Sequence, residues 1–192
     1  MRNNRQRLIE AAADLFHRQG YRSTSLDDVL EATGVARSNF YYHFESKRDL
    51  AVEVVRHWTG VYDRELVSPA LDDESLAPRQ RLDALYDRAA DSQDPASGRT
   101  GCPLGRLATD LATGDPEIRR LLNDYFAGVR RRIEQLLEDS PAIPAAEPAR
   151  LADLAVCVLE GGLLLSALRQ DPDQVRDAGR TLVQLLGLAA TA

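Results

Sequence analysis

The chain of 192 residues has few of the residue types that mark disulfide scaffolds, metal sites and enzyme active sites. Two cysteines, Cys102 and Cys157, cannot hold a zinc ion alone and indicate a reducing compartment rather than a secreted disulfide scaffold. The three histidines, His17, His43 and His57, show no metal-ligand spacing and no pairing with a nucleophile. We therefore expect no metal site, no cofactor and no enzyme activity.

Glycine is sparse, and long alternating runs of β-branched residues are missing, so the sequence does not predict β-sheets. Ala, Leu, Arg and Glu dominate instead and predict an all-α fold. The first ten residues are too polar for a signal peptide, and Asp153 and Glu160 interrupt the apolar stretch at 151–168. We expect a soluble cytoplasmic protein with no membrane partner.

Basic residues are concentrated at the N-terminus, although the whole chain has a formal net charge of -6. Residues 1–48 contain two more basic than acidic residues, which leaves a net charge of −8 on the remainder. A weakly basic head and an acidic body predict that any contact with nucleic acid is limited to the N-terminal segment.

Apolar residues at helical spacing predict about nine helices. Ser25 and Asp28 form a capping-box pattern that starts the second helix, and Gly34 permits a tight turn before a third helix at about 36–43. Asp115 and Pro116 are typical of a strong helix start. Residues 67–78 break the periodicity and predict a linker. Further helices are predicted at 46–66, 82–89, 103–114, 116–136, 149–169 and 172–188.

Residues 38–47 carry most of the functional information. A short helix here would direct Asn39, Tyr42 and His43 outward, while Phe40 and Phe44 would face the core at i and i+4 spacing. A polar and aromatic tip anchored by two phenylalanines suits a helix that reads DNA, and the turn at Gly34 completes a helix-turn-helix pattern.

The longer pattern around this segment is more specific than helix-turn-helix spacing alone. It reads Ile9-x-x-Ala12-x-x-Leu15-Phe16-x-x-x-Gly20-Tyr21-x-x-Thr24-Ser25-x-x-x-Val29, then Gly34-Val35, then Phe40-Tyr41-Tyr42-His43-Phe44-x-Ser46-Lys47-x-x-Leu50. Over about a quarter of the chain, this pattern resembles the DNA-binding domain of the tetracycline-repressor (TetR) family of bacterial regulators. Ala36 departs from the family, which usually has a Ser or Thr cap there.

The resemblance implies a helix-turn-helix DNA-binding domain at residues 1–48 and a helical effector-binding and dimerisation domain at residues 49–192. It also implies a homodimer that binds a palindromic operator in double-stranded DNA, represses transcription and is released by a small-molecule effector. Carried over position by position, the expected DNA-binding residues are Ser25, Arg37, Ser38, Asn39, Tyr41, Tyr42, His43 and Lys47.

The inward faces of the middle helices provide the candidate effector site. We expect the last two helices to form the dimer interface, because residues 154–168 are apolar nearly all round, and we place Leu163 in that interface. Gly161 and Gly162 would let another helix approach closely. The expected ligand-binding residues are Trp58, Tyr62, Tyr86, Cys102, Leu104, Leu107, Phe126, Val129 and Val158.

Two alternatives to effector-released repression remain open. Cys102 would lie at a helix N-terminus, where the helix dipole favours the thiolate, so a thiol-based sensor of electrophiles or oxidants is one alternative. An ordinary small buried cysteine explains the same residue. The other alternative is a helical ligand-binding adaptor that does not bind DNA.

Overall fold

A computed structural model describes residues 3–140 and 142–188. Two π-helical segments, Asp63–Val67 and Ala108–Ala112, continue α4 and α7, so the α-helices form nine continuous runs in the described part of the chain. This result confirms the predicted all-α fold of about nine helices. The α-helices are α1 (Asn4–Gln19), α2 (Leu26–Thr33), α3 (Arg37–His43), α4 (Lys47–Tyr62), α5 (Ser68–Leu71), α6 (Pro78–Asp91), α7 (Pro103–Leu107), α8 (Pro116–Glu138), α9 (Pro148–Arg169) and α10 (Asp173–Leu185).

The chain divides into two compact units, which we call the head unit and the body unit. The head unit contains the described residues up to Gly60 together with Cys102–Asn123. The body unit contains Val61–Gly101 and the described residues from Asp124 onward. The domain boundary expected between residues 48 and 49 concerns function rather than compactness, and it stays a prediction.

The head unit is built from α1, α2 and α3 around side chains that include Leu8, Phe16 and Phe40, all of them fully buried. The capping box predicted at the start of α2 is confirmed: the backbone N–H of Asp28 donates to Ser25 Oγ (3.1 Å), and the backbone N–H of Ser25 donates to the Asp28 carboxylate (2.7 Å). The turn into α3 is made by a glycine with a positive φ of 64°. These local interactions set the position of α3.

In the body unit, α10 packs closely against α6 and α9. The ring of Tyr86 lies directly against Gly179, where an added Cβ would be 2.3 Å from Tyr86 Cγ. The hydroxyl of Tyr86 donates to the carbonyl of Ala155 (2.8 Å), and burial raises the pKa of this phenol. A Cβ at Gly162 would lie 3.4 Å from Val175 Cα, which confirms that a helix approaches closely at that glycine.

The prediction of a linker at 67–78 is wrong for its first part, because Ser68–Leu71 is the helix α5. Pro69 lacks the N–H that would donate to the carbonyl of Glu65 in a regular helix. In the structure, the guanidinium of Arg88 donates to that carbonyl (3.0 Å), and the chain passes through the π-helical segment Asp63–Val67. The proline is therefore accommodated within a continuous helical run.

Several leucines on the outer face of α9 are exposed, and the sequence pattern did not distinguish them from the buried leucines of the same helix. Leu164 and Leu168 are 60% and 72% exposed, and Leu154 and Leu165 are also exposed. The placement of Leu163 in an interface is wrong, because this side chain is 3% exposed and packs inside the protomer. By length and composition α9 could cross a membrane, although one such helix is weak evidence of a membrane span.

Candidate nucleic-acid interface

The exposed tip of α3 is anchored by two buried phenylalanines. Phe40 is fully buried, Phe44 is nearly so, and their ring centroids are 5.5 Å apart. Tyr41 and Tyr42 on the opposite side are 54% and 81% exposed. The inward placement predicted for Phe40 and Phe44 is confirmed, and so is the outward placement of Tyr42, whereas Asn39 and His43 are only half-exposed. Large aromatic side chains are thus exposed to solvent on a helix that the core holds in place.

Arg37 is the first residue of α3, and its side chain has its partner on another helix. Ala36 occupies the N-cap position and makes no side-chain capping hydrogen bond. The guanidinium of Arg37 pairs instead with the carboxylate of Asp27 on α2. This partner was not predicted from the sequence, because the two residues are ten positions apart on different helices.

The other expected base-reading residues are presented to different degrees. Ser38 is exposed, whereas Asn39 and His43 are half-buried. The Oδ1 atom of Asn39 is buried and accepts no hydrogen bond from the residues that the structure describes. The rings of Tyr42 and His43 meet edge to face with centroids 4.9 Å apart. Arg37, Ser38, Tyr41 and Tyr42 therefore form the most accessible part of this surface.

Lys47, the single lysine of the chain, is used to join α4 to the turn before α2. Its ammonium donates to the carbonyls of Tyr21 (3.0 Å) and Thr24 (2.7 Å) and lies 4.1 Å from the centroid of the Tyr21 ring. Desolvation lowers the pKa of Lys47. An ammonium group has three donors, so these bonds leave one N–H for a further acceptor beside the exposed cap Ser25.

A second set of charged residues connects α4 to the start of α8 within the head unit. The guanidinium of Arg48 donates to both oxygens of the Asp115 carboxylate (2.7 and 2.9 Å) and to Glu117 (2.8 Å). The same Asp115 caps α8 by accepting from the backbone N–H groups of Glu117 (3.0 Å) and Ile118 (3.1 Å). The hydrogen bond from Arg48 lowers the pKa of Asp115. We call Arg48, Asp115 and Glu117 the arginine clasp.

Asp110 connects the segment after α7 to the turn between α1 and α2 of the head unit. Its carboxylate accepts from the backbone N–H of Tyr21 (2.9 Å), and its carbonyl accepts from Arg22 (3.4 Å). Within the head unit, the segment Cys102–Asn123 is thus bonded both to the turn between α1 and α2 and to α4. The sequence predicted Asp115 as a helix cap but offered no signal for these contacts, because their partners are 67 to 89 residues away in the chain.

The expected effector-binding residues are distributed over both units. In the head unit, Leu104 and Leu107 are buried, Trp58 is half-buried, and Cys102 is the N-cap of α7, with its Sγ accepting from the backbone N–H of Gly105 (3.2 Å). In the body unit, Tyr86 lines a cleft of about 230 Å³. The remaining body-unit residues are the buried Tyr62 and Val129 and the half-buried Phe126 and Val158. As an effector site, this set stays a prediction.

Among the described residues, no group of three His, Cys, Asp or Glu side chains is arranged to hold a metal ion. The surface around α3 combines a charged side chain with exposed aromatic rings. An arginine, hydroxyl groups and exposed aromatic rings on a short anchored helix can contact base edges and phosphates in a DNA groove.

Comparison with known proteins agrees with this geometry. Residues 8–54 match the profile of the bacterial regulatory proteins of the tetR family, and residues 78–181 match the C-terminal domain of LmrA/YxaF-like transcriptional regulators. The chain belongs to the TetR family. TetR-family proteins are transcriptional regulators that bind DNA through the helix-turn-helix domain.

Individual relatives extend this TetR-family similarity over nearly the whole chain. A helix-turn-helix transcriptional regulator of Mycobacterium tuberculosis is 30% identical, and the match covers 97% of this chain and 95% of that protein. The transcriptional regulator AcuR of Cereibacter sphaeroides is 29% identical over 92% of this chain and 82% of its own length. The crystal structure of a TetR regulatory protein from Rhodobacter sphaeroides superposes with a TM-score of 0.84 at 28% identity, covering 93% of this chain and 96% of that one.

Proposed function

We propose that this TetR-family regulator is a cytoplasmic repressor that binds a palindromic operator as a homodimer and leaves it when a small molecule binds. The observation that carries the proposal is the α3 tip, where Arg37, Ser38, Tyr41 and Tyr42 are exposed on a helix anchored by Phe40.

Base recognition is assigned to the solvent-facing end of α3. Arg37 offers the paired donors that suit guanine O6 and N7, and Asn39 can pair with adenine once its buried Oδ1 turns outward. Ser38, Tyr42 and His43 complete the base-facing set. Phosphate contacts are assigned to the Ser25 cap, the Tyr41 hydroxyl and the remaining Lys47 donor. Lys47→Ala should therefore weaken binding to all sequences and lower the salt slope by about one.

The second copy is proposed to cover the outer face of α9, with α10 beside it. Exposed leucines are concentrated there, and Gly161 lies on the same helix with no atom within 4 Å of an added Cβ. An apolar helix face of this kind is unfavourable in water unless it is covered. In a dimer with two-fold symmetry, the two α3 helices would lie about 34–36 Å apart, one turn of DNA.

Release by an effector requires a ligand that binds the DNA-free conformation more tightly. The arginine clasp bonds the start of α8 to α4 beside the reading helix, and α8 continues along the chain into the body unit. A ligand that displaces the start of α8 would displace α4 and α3 with it. By linkage, operator DNA must weaken effector binding by the same factor.

A thiol sensor is the second candidate, supported by the Cys102 sulfur at the N-terminus of α7. The hydrogen bond that the backbone N–H of Gly105 donates to this sulfur would stabilise a thiolate. Operator binding that is lost on treatment with an electrophile and retained in Cys102→Ser would favour this mechanism over reversible effector binding.

The test of the proposed function is selection of the full-length protein against a pool of randomised DNA duplexes. We expect one palindromic motif with half-sites one helical turn apart, bound with an affinity that falls steeply with salt. Arg37→Ala should relax the preference at one base pair of each half-site, whereas Arg64→Ala, which removes an exposed arginine of the body unit that is not on α9, should leave the motif unchanged. Absence of any DNA binding by the wild-type chain would favour the adaptor alternative.

A further inference from the structure

Two adjacent aspartates begin α2 and have different partners. The Asp28 carboxylate accepts from the backbone N–H of Ser25 (2.7 Å) and completes the capping box. Asp27 takes no part in that cap, and its carboxylate pairs with the guanidinium of Arg37. The capping box of α2 accounts for Asp28, and the helix dipole favours an acid at Asp27, but neither explains why Asp27 pairs with Arg37.

Arg37 needs a partner because of its place at the beginning of α3. A cation at a helix N-terminus is opposed by the helix dipole, and the Ala36 cap offers no side-chain acceptor. An arginine side chain has many rotamers, so an unheld Arg37 would lose considerable conformational entropy on docking against a base. The carboxylate of Asp27 supplies both the compensating charge and a fixed direction.

The exposure of the pair means that it adds little to stability. The side chains of Arg37 and Asp27 are 51% and 76% exposed, and an ion pair this accessible stabilises a protein by only about 0–1 kcal/mol. A guanidinium has five N–H donors, so a group that pairs with one carboxylate still has donors for a base edge. The pair can thus remain intact while Arg37 contacts DNA.

We infer that Asp27 is a specificity-determining residue of the operator-reading surface, which positions Arg37 for one guanine. This inference rests on the proposed function, since it requires that Arg37 read DNA. Asp27 also brings a negative charge towards the phosphate backbone, which opposes binding wherever Arg37 finds no guanine. Asp27 would therefore increase discrimination and decrease affinity for unrelated sequences.

The experiment repeats the randomised-duplex selection with wild type, Asp27→Asn, Arg37→Ala, the double variant and Glu31→Gln. Glu31 is exposed one turn further along the same face of α2, so its substitution is a control for loss of an acidic charge. Affinities for one selected duplex and one random duplex are measured at several salt concentrations. Circular dichroism establishes that each variant is folded.

We expect Asp27→Asn to decrease preference at the base pair read by Arg37 at least threefold, and to increase affinity for random DNA about threefold. The double variant should show no greater loss of preference than Arg37→Ala. Glu31→Gln should leave the motif unchanged. A merely structural Asp27 would instead lower both affinities together and leave the preference intact.

The outcomes separate this inference from the proposed function. A wild-type motif that Asp27→Asn leaves unchanged would overturn the role of Asp27 and leave the regulator intact. Loss of preference at a base pair that Arg37→Ala retains would also overturn it, because Asp27 would then read a base itself. A wild-type chain that selects no motif would refute both proposals.

Discussion

Leu168→Arg is the substitution that best tests the proposed dimer. Leu168 is 72% exposed on the outer face of α9, so the change should leave the folded protomer nearly unaffected. Burying a leucine side chain completely is worth about 1.5–3 kcal/mol. With two copies of this side chain in a symmetric interface, the lost burial amounts to about 2–4 kcal/mol, which weakens association by about 30- to 1,000-fold. Two unpaired arginines in an apolar interface add to this loss.

Sedimentation velocity over a concentration series measures the effect directly. The wild-type chain should sediment as a dimer at micromolar concentration and Leu168→Arg as a monomer with an unchanged helical circular dichroism spectrum. Tyr42→Arg is the matched control, because it exchanges an equally exposed apolar side chain for the same cation on α3. A monomeric wild type, or a dimeric Leu168→Arg variant, would show that α9 does not hold the interface.

Two further predictions concern packing and pH. Gly179→Ala should lower the free energy of unfolding by about 1–3 kcal/mol in urea titrations, because the new methyl would overlap the Tyr86 ring. Gly128→Ala, where the nearest atom is a flexible side chain 3.9 Å away, should instead gain about 1 kcal/mol of helix propensity, and equal effects would contradict the packing argument. Asp115→Asn keeps an oxygen for the α8 cap but loses the charge that holds Arg48, and should cost about 1 kcal/mol at pH 7. Because the pKa of Asp115 is lowered in the folded state, its contribution is present above about pH 4 and is lost as the pH falls through the folded-state value, so wild type and variant should converge in acid.

The local features of the head unit were predictable because their determinants are neighbours in the chain. The capping box at the start of α2, the glycine turn before α3 and the i, i+4 pair Phe40 and Phe44 each depend on residues within four positions of one another. Helical geometry alone then decides which side chains face inward. The family resemblance rests on the same short-range pattern.

Which side of α9 is buried was not predictable from the sequence, and the placement of Leu163 shows why. Residues 154–168 are apolar on nearly every side, so periodicity carries little information about which leucine is buried. Packing within the body unit decides it, burying Leu163 and leaving Leu164 and Leu168 exposed to solvent. The helix α5 was missed for a related reason, because the features that accompany Pro69 there, the π-helical segment Asp63–Val67 and the Arg88 donor to the Glu65 carbonyl, have no signal in the local sequence.

The sequence by itself determined the class of protein, the reading helix α3 and the capping box of α2, since each follows from residue types at short spacing. Only the tertiary structure decided the partners of charged residues. Arg37 pairs with Asp27, Arg48 with Asp115, and Lys47 with backbone carbonyls, although each side chain could have formed an ion pair with many acids. Charge attraction is non-specific at the level of sequence, and the folded backbone selects which opposite charges come within hydrogen-bonding distance.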